Sequence, residues 1–294
     1  MSKRIKVLKT YKIFIDGKFP RTESGRYTQL KKDNIPIANI CLSSRKDIKN
    51  AVLSARNAFE SWFSKSAYNR SQILYRIAEI LEGNKNQFIQ ELILQGEDSK
   101  KAILEIDYSI DRIIYFAGWP DKINPIFGSV NPVASSHFNF TILEPMGVVG
   151  IIAPEENSLL GLISSIIPVI LSGNTCVAIV SEKLPLCAIS LAEVISNSDV
   201  PNGVVNIITG NKDELAPHLA QHMDVNALGL NIENKELKNQ IFLRASNNLK
   251  RLVDVSKYNI QDSNFESPYI VKKFMEAKTT WHPIEKDFTS SNNY

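Results

Sequence analysis

The sequence predicts an α/β protein, a five-stranded parallel sheet interleaved with helices and preceded by a block of further helices. Two observations carry that expectation. In the C-terminal half, short apolar stretches rich in β-branched residues alternate with helical segments of about ten residues, the pattern of βαβ crossovers. In the N-terminal half, apolar residues recur at i, i+3, i+4 and i+7, the period of amphipathic helices. At 294 residues the chain can hold one large domain or two modest ones.

Taken in order, the first 35 residues read as short strands and turns, with Tyr11 to Ile15 leading into a hairpin signal at Asp16 and Gly17. From Asp47 onward Ile48, Ala51, Val52, Ala55, Ala58, Phe59, Trp62 and Phe63 share one helical face. Asp47 falls in the first turn, where negative charge favours the helix dipole. A second helix presents Ile73, Leu74, Ile77, Ile80 and Leu81, and a third Phe88, Leu92 and Ile93. A fourth runs from about Ser99 to Phe116 and stops at Gly118 and Pro120. Next, Phe138, Phe140 and Ile142 alternate with polar residues, which predicts a half-buried strand. It is either a local hairpin strand or an arm that pairs with another chain.

The parallel strands are expected at Val148–Ile152, Thr175–Val180, Val204–Ile208, Ala227–Asn231 and Arg251–Val255. Helices are expected at Leu159–Leu171, Leu186–Ser196, Asp213–His222 and Lys235–Ala245. Strands apolar on both faces are what burial between two helical layers requires. In such a doubly wound sheet the ligand crevice lies at the carboxyl ends of the strands. The tail from Thr279 to Tyr294 reads as a short strand or a frayed end.

Composition narrows the function. A formal charge of +3 is too near neutral to imply a nucleic-acid partner. No apolar stretch follows the basic Met1–Lys12, so no secretory signal is expected. The longest apolar run, Leu159 to Leu171, falls short of the about 20 residues of a membrane span and reads as a buried helix. Cys41, Cys176 and Cys187 are odd in number and form no Cys-x-x-Cys or metal pattern. Buried, inert thiols in a reducing, cytoplasmic setting are expected. Glycine is scarce, 13 residues against a usual level of about 7%.

The motifs point away from several chemistries. After the first parallel strand the chain reads Ala153-Pro-Glu-Glu-Asn-Ser158. No glycine opens a phosphate cradle there, and Glu155 and Glu156 would repel a diphosphate. Support of a helix N-terminus is the expected role of those two acids. His218 and His222 are four apart on a predicted helix, but no glutamate follows His218 as a zinc hydrolase would need, so surface or capping roles are expected. No Gly-x-Ser-x-Gly elbow occurs.

Several segments, in order, resemble the aldehyde dehydrogenase superfamily. They are Ile15-Asp-Gly-Lys-Phe19, Glu144-Pro-Met-Gly-Val-Val-Gly150, Gly173-Asn-Thr175, Pro201 to Gly210 and His222-Met-Asp-Val225. Lys278 to Pro283 is similar to the C-terminal end of some members. The resemblance implies a Rossmann-like, five-stranded cofactor domain, N-terminal helices and an oligomerisation arm. It divides the chain into residues 1–135 packing on the cofactor domain, an arm strand at 136–147, the Rossmann-like domain at 148–276 and a tail at 277–294.

The departures from the family pattern are as informative. The family's active-site asparagine position holds Glu156, with Asn157 one residue late, and a carboxylate would repel an oxyanion. The ribose-binding lysine position holds Ile179. Glu182 matches the acidic ribose contact and is the one cofactor-binding residue the resemblance carries over. The Gly-Ser-Thr-x-x-Gly turn falls on Ile232–Leu237, with Glu233 at the phosphate-facing serine. The general-base position holds Val255, beside Asp254. Between about Asn259 and the C-terminal motif, about 20 residues leave no room for the domain that bears the family's cysteine nucleophile.

The expected function is therefore a catalytically inactive, aldehyde dehydrogenase-like subunit with no catalytic residue and no metal. It would be a structural or regulatory partner, in a homo-oligomer or with an active aldehyde dehydrogenase, contacting neither nucleic acid nor membrane. The strand bearing Phe138, Phe140 and Ile142 would form the contact. The face uncovered by the missing domain would have to be polar, covered by the tail or buried against another chain. No cofactor is expected, or NAD or NADP if any. The alternative is a cofactor-binding subunit of an NAD(P)-dependent aldehyde oxidoreductase whose nucleophile comes from another chain. A further possibility is a cation or basic ligand near Glu155, Glu156 and Glu182, against the plainer reading that these are remnants of an unused site.

Overall fold

The computed structural model describes residues 7–284. A small sheet opens the chain: β1 (Thr10–Tyr11), β2 (Tyr27–Lys32) and β3 (Ile35–Cys41), in the order β1-β3-β2. Four helices follow, α1 (Arg45–Phe63), α2 (Ala67–Gly83), α3 (Lys85–Gln95) and α4 (Ser99–Ala117). Helix α1 starts where it does because Ser44 and Asp47 form a reciprocal cap. The Ser44 hydroxyl accepts from Lys46 N, and Asp47 accepts from Ser44 N at 2.8 Å. Its buried face, Ile48, Ala51, Val52, Ala55, Ala58 and Trp62, follows the sequence period. Phe59 and Phe63 lie at its margin and stack on each other, ring centroids 6.0 Å apart.

After the short α5 (Ile123–Phe127) come β4 (Ser129–Asn131) and β5 (His137–Pro145). The alternation then runs β6 (Val148–Ile152), α6 (Ser158–Leu171), β7 (Thr175–Ile179), α7 (Leu186–Ser196), β8 (Val205–Ile208), α8 (Lys212–Gln221), β9 (Ala227–Leu230), α9 (Lys235–Ala245) and β10 (Arg251–Asp254). Helix α10 (Pro268–Lys272) and strand β11 (Met275–Pro283) close the described chain. All five predicted parallel strands and all four intervening helices are present within a residue or so of the expected bounds.

The five strands pair in the order β10-β9-β6-β7-β8, every pair parallel. The chain moves outward from β6 to β8, then returns to the other side of β6. This Rossmann-like order places a switch point between β6 and β9. The apolar strands feed two cores at once. Val149, Ile151, Cys176 and Ala178 face the layer of α2, α4, α6 and α7; Val148, Ile152, Val177 and Ile179 face that of α1, α8 and α9. Helix α6 is buried almost all round, and no helix among the described residues is long and apolar enough to cross a membrane.

The turn at Asp16 and Gly17 forms as expected, with both residues at positive φ (55° and 69°) and Ile15 and Lys18 exchanging backbone hydrogen bonds of 3.0 Å. The strand entering it pairs less locally than a hairpin. Phe14 exchanges bonds of 2.9 and 2.8 Å with Ile207, covering the outer edge of β8.

Of the two expectations for the arm, the structure shows pairing within the chain. Strand β5 is the centre of a three-stranded sheet, β11-β5-β4, with β4 pairing Asn139–Thr141 on one edge. Its partner β11 runs antiparallel to it over nine residue pairs, from Met275 opposite Pro145 to Pro283 opposite His137. The tail is thus a strand up to Pro283; the expectation of fraying over 285–294 lies outside the described residues. The faces are also reversed: Phe138 is 46% exposed, whereas Asn139 and Leu143 are buried. The inner face is held by side-chain hydrogen bonds, Asn131 donating to Thr141 Oγ1 at 2.9 Å and the Thr141 and Thr279 hydroxyls meeting at 2.8 Å. Alternation shows that a strand has two faces, but not which one the molecule covers.

The segment between β10 and β11 contains no further domain. It folds back over α4 and α6, burying Ile260, Phe265, Ile270 and Val271. Arg112 of α4, 2% exposed, anchors it by donating to the Ile260 carbonyl at 2.9 Å and Glu266 at 3.2 Å, while also donating to Ser164 Oγ of α6 at 2.8 Å. Its guanidinium lies over Phe265, 5.1 Å from the ring centroid.

Candidate functional site

The carboxyl ends of all five parallel strands open on one cleft of about 570 Å³. Its walls are Pro154–Asn157 after β6, Glu182 and Lys183 after β7, Lys212 and Asp213 after β8, Asn231–Asn234 after β9, and Ser256 and Tyr258–Ile260 after β10. The volume and the position at the switch point are those of a small-molecule site in an open α/β sheet.

A buried ion pair lies at the centre. Lys212 Nζ donates to the Ala153 carbonyl at 2.6 Å and pairs with Glu155. Glu155 also accepts from the Ser181 hydroxyl (2.9 Å) and from the amides of Glu182 (2.9 Å) and Lys183 (3.1 Å). Burial alone would raise the Glu155 carboxyl; the Lys212 ammonium and these donors outweigh it and hold the group below its usual range. For Lys212 burial wins and pulls the ammonium down, despite Glu155. The pair is thus geometric furniture of the cleft more than a source of stability. Glu182 turns its carboxylate to Lys212 N at 2.6 Å, and burial, with the Glu155 charge nearby, raises its pKa.

The expectation that Glu155 and Glu156 support the N-terminus of α6 is corrected. The first-turn amides of Leu159 and Leu160 donate to Glu105 Oε1 of α4, at 2.8 and 3.2 Å. Glu105 is already in place from a neighbouring helix, so Glu155 is free to serve the β7 loop. Asn157 sits in the left-handed region (φ 48°) and accepts from Gln261 Nε2 at 2.9 Å. The N-terminus of α9 is likewise closed from within: Asn234 accepts from the amides of Glu236 (3.0 Å) and Leu237 (3.1 Å).

The other sequence-derived positions fall as follows. Ile179 is fully buried at the end of β7 and Val255 is buried after β10. Asp254 is paired with Lys238 at 2.9 Å. Glu182 and Glu233 both line the cleft, at the ends of different strands. His218 and His222 do not share a helical face, because α8 ends at Gln221 and His222 is its extended cap residue, with ψ 124°. Among the described residues no group of three or more His, Cys, Asp or Glu could hold a metal. Cys41, Cys176 and Cys187 are all buried and unpaired, away from the cleft; burial pushes the Cys176 thiol up to about 12.

Three contributors were not found from sequence. Asn234 was legible in principle, since an asparagine just before a helix is an N-cap signal. Arg112 was legible as a charge on the buried face of its helix, next to Ile113. Lys212 left no local signal: only the sheet order brings it beside Glu155.

A dinucleotide places a diphosphate at a helix N-terminus with free amides. Here the α9 amides of Glu236 and Leu237 are capped by Asn234, Glu233 puts a negative charge beside them, and Ile179 offers no donor. These groups do not fit that ligand.

Fold and site together define the class: a Rossmann-like domain with a ligand-sized cleft at the carboxyl ends of its parallel strands. The aldehyde dehydrogenase family model matches residues 27–253, and the chain belongs to that family. It is 31% identical over 248 residues to the cytosolic aldehyde dehydrogenase 1 of Elephantulus edwardii, covering 82% of this chain and 49% of that one. Against the mitochondrial 10-formyltetrahydrofolate dehydrogenase of Mus musculus it is 32% identical over 252 residues, 82% of this chain and 27% of the other. The NAD+ complex of an aldehyde dehydrogenase from Bacillus cereus superimposes with a TM-score of 0.79 at 26% identity, over 84% of this chain and 50% of that one. The chain therefore spans about half the length of relatives such as the cytosolic aldehyde dehydrogenase 1 of E. edwardii.

Proposed function

We propose that this chain is a non-catalytic aldehyde dehydrogenase-like subunit, a structural or regulatory partner in a homo-oligomer or beside an active aldehyde dehydrogenase. The observation that carries this reading is the segment between β10 and β11. Where the family resemblance calls for a nucleophile-bearing domain, this segment is a packed strap locked by Arg112. Covalent aldehyde chemistry needs an accessible thiolate, an oxyanion donor and a base together. Here the thiols are buried, and the family resemblance puts Glu156 at the oxyanion-donor position and Val255 at that of the base. Three unpaired cysteines also suit a reducing, cytoplasmic compartment.

The donor set of the cleft supports the further reading that neither NAD nor NADP is held there. For partners, the arm offers its outward face of Phe138, Phe140 and Ile142, and the outer edge of β11. Size-exclusion chromatography with and without a co-expressed active homologue tests the partner role. A stable monomer that ignores the homologue sinks it.

A second reading keeps the chain as the cofactor-binding half of an NAD(P)-dependent oxidoreductase, with the nucleophile on another polypeptide. It is favoured by Glu182 at the matching position and by the NAD+ complex among the similar structures. Calorimetric titration separates the two: micromolar binding of NAD or NADP supports the second reading and refutes the first.

A further inference from the structure

We propose that Asn202 is a self-modification site: opening of its turn lets it deamidate, and the acid so formed keeps the N-terminal turn from docking again. This goes beyond the partner role and does not depend on it. Asn202-Gly203 is the one Asn-Gly step in the sequence. Glycine has no side chain to shield its amide nitrogen, and asparagine is a thermolabile residue. Asn202 is exposed, and its side chain has no hydrogen-bond partner among the described residues. The chemistry needs only water. The Gly203 nitrogen loses its proton to solvent and attacks Asn202 Cγ; a C–N bond forms and ammonia leaves. Water then opens the cyclic imide at either carbonyl, giving aspartate or isoaspartate.

The fold decides when this happens. Pro201 to Val204 form a turn closed by Val204 N donating to the Pro201 carbonyl at 3.2 Å, with Gly203 third and at φ 86°. That is the form of a type II turn, whose second residue is extended. Extension directs the Gly203 nitrogen away from Asn202 Cγ, so ring closure waits on the turn opening. Packing holds the turn shut. The Asn202 carboxamide lies across the Cα of Gly17: a carbon added to Gly17 there would be 2.0 Å from Asn202 Oδ1 and 2.4 Å from Cγ. A carbon added to Gly203 would be 2.7 Å from the Ser54 carbonyl oxygen of α1. Ser54 Oγ also donates to Asp16 Oδ1 at 3.3 Å, and Asp16 N donates to Asn206 Oδ1 at 3.1 Å. The Asp16-Gly17 turn and the Asn202-Gly203 turn thus dock on each other beside α1.

The product does not fit this contact. A carboxylate at position 202 lies against Gly17 and so beside the Asp16 carboxylate, where a neutral amide lay before. Isoaspartate also adds a backbone methylene, and Gly203, already against Ser54, has no room to move. The docked turn sets the path of Phe14, which exchanges hydrogen bonds of 2.9 and 2.8 Å with Ile207. Its release uncovers the outer edge of β8. Deamidation therefore makes a reversible opening permanent.

The test follows position 202 of the whole chain by peptide mass spectrometry during incubation in mildly alkaline buffer, with the chain in urea as the unfolded reference. Slow conversion is expected in the native chain and fast conversion in urea. Gly17→Ala overpacks the docked turn and should speed native conversion about tenfold, the population change that a steric cost of this kind gives. Ser54→Ala, a milder loosening, should speed it less. Asn202→Asp, with folding verified by a thermal melt, should speed hydrogen exchange at the Phe14 and Ile207 amides and leave Ile151, in the central strand β6, unchanged. The proposal is overturned by native conversion as fast as in urea, by no acceleration in either Gly17→Ala or Ser54→Ala, or by unchanged exchange at Phe14 and Ile207 in Asn202→Asp.

Discussion

The strap between β10 and β11 stands or falls with Arg112, so Arg112→Ala is the most direct perturbation of this architecture. The guanidinium is 2% exposed, makes three hydrogen bonds of 2.8 to 3.2 Å and lies over Phe265. Removing one partner of a buried ion pair costs about 3–5 kcal/mol, chiefly because the other charge is left uncompensated. Glu266 is 29% exposed and can partly rehydrate, which favours the lower end for that part. The Ile260 carbonyl and Ser164 hydroxyl also lose their donor, and a void opens beside Phe265. A net loss of about 3–4 kcal/mol is expected. Urea unfolding followed by circular dichroism measures it, and limited proteolysis reports whether residues 256–267 become susceptible before global unfolding. Arg112→Lys should recover only part, because an ammonium cannot reproduce the planar fork toward three acceptors. A loss below about 1 kcal/mol, with the segment still protected, would refute the anchoring role.

Other outcomes follow from the same geometry. Glu105→Ala strands the buried amides of Leu159 and Leu160 and should cost about 2–4 kcal/mol, while Glu105→Gln, which keeps the acceptor, should cost less; urea midpoints compare them. Lys250 donates to the His222 carbonyl at 2.7 Å, and burial lowers its pKa from 10.5 to about 8. The unfolded chain then binds more protons between these values, so this group's contribution is present above pH 10.5 and lost as pH falls through about 8. Stability should accordingly rise from about pH 8 towards pH 10, and Lys250→Met should flatten that rise in thermal melts. Above pH 10 Tyr11 opposes it, since burial and Glu91 raise its hydroxyl pKa. The three buried cysteines should resist a thiol reagent in the native state and all react in denaturant; one fast-reacting native thiol would revive a nucleophile.

Much of the fold was legible because it follows from local rules. Val148–Ile152 and Thr175–Ile179 are apolar throughout because a parallel strand between two helical layers is buried on both faces. Helix α1 announces itself through Asp47 in its first turn and its apolar stripe. The cleft was half legible: Glu155, Glu156, Glu182 and Glu233 were recognised as acids near the strand ends. Their partners were not, since Lys212 is 57 residues from Glu155 along the chain and Glu105 is 54 from Leu159.

What the amino-acid order settled was which segments are strands or helices, because capping, periodicity and side-chain chemistry are local properties. The fold decided which acid caps α6, which lysine neutralises Glu155, which face of β5 is covered and how the strap is anchored. Those outcomes depend on charges and hydrogen-bond donors meeting across distant elements. Burial makes such meetings obligatory, but it leaves no mark on the spacing of residues along the chain.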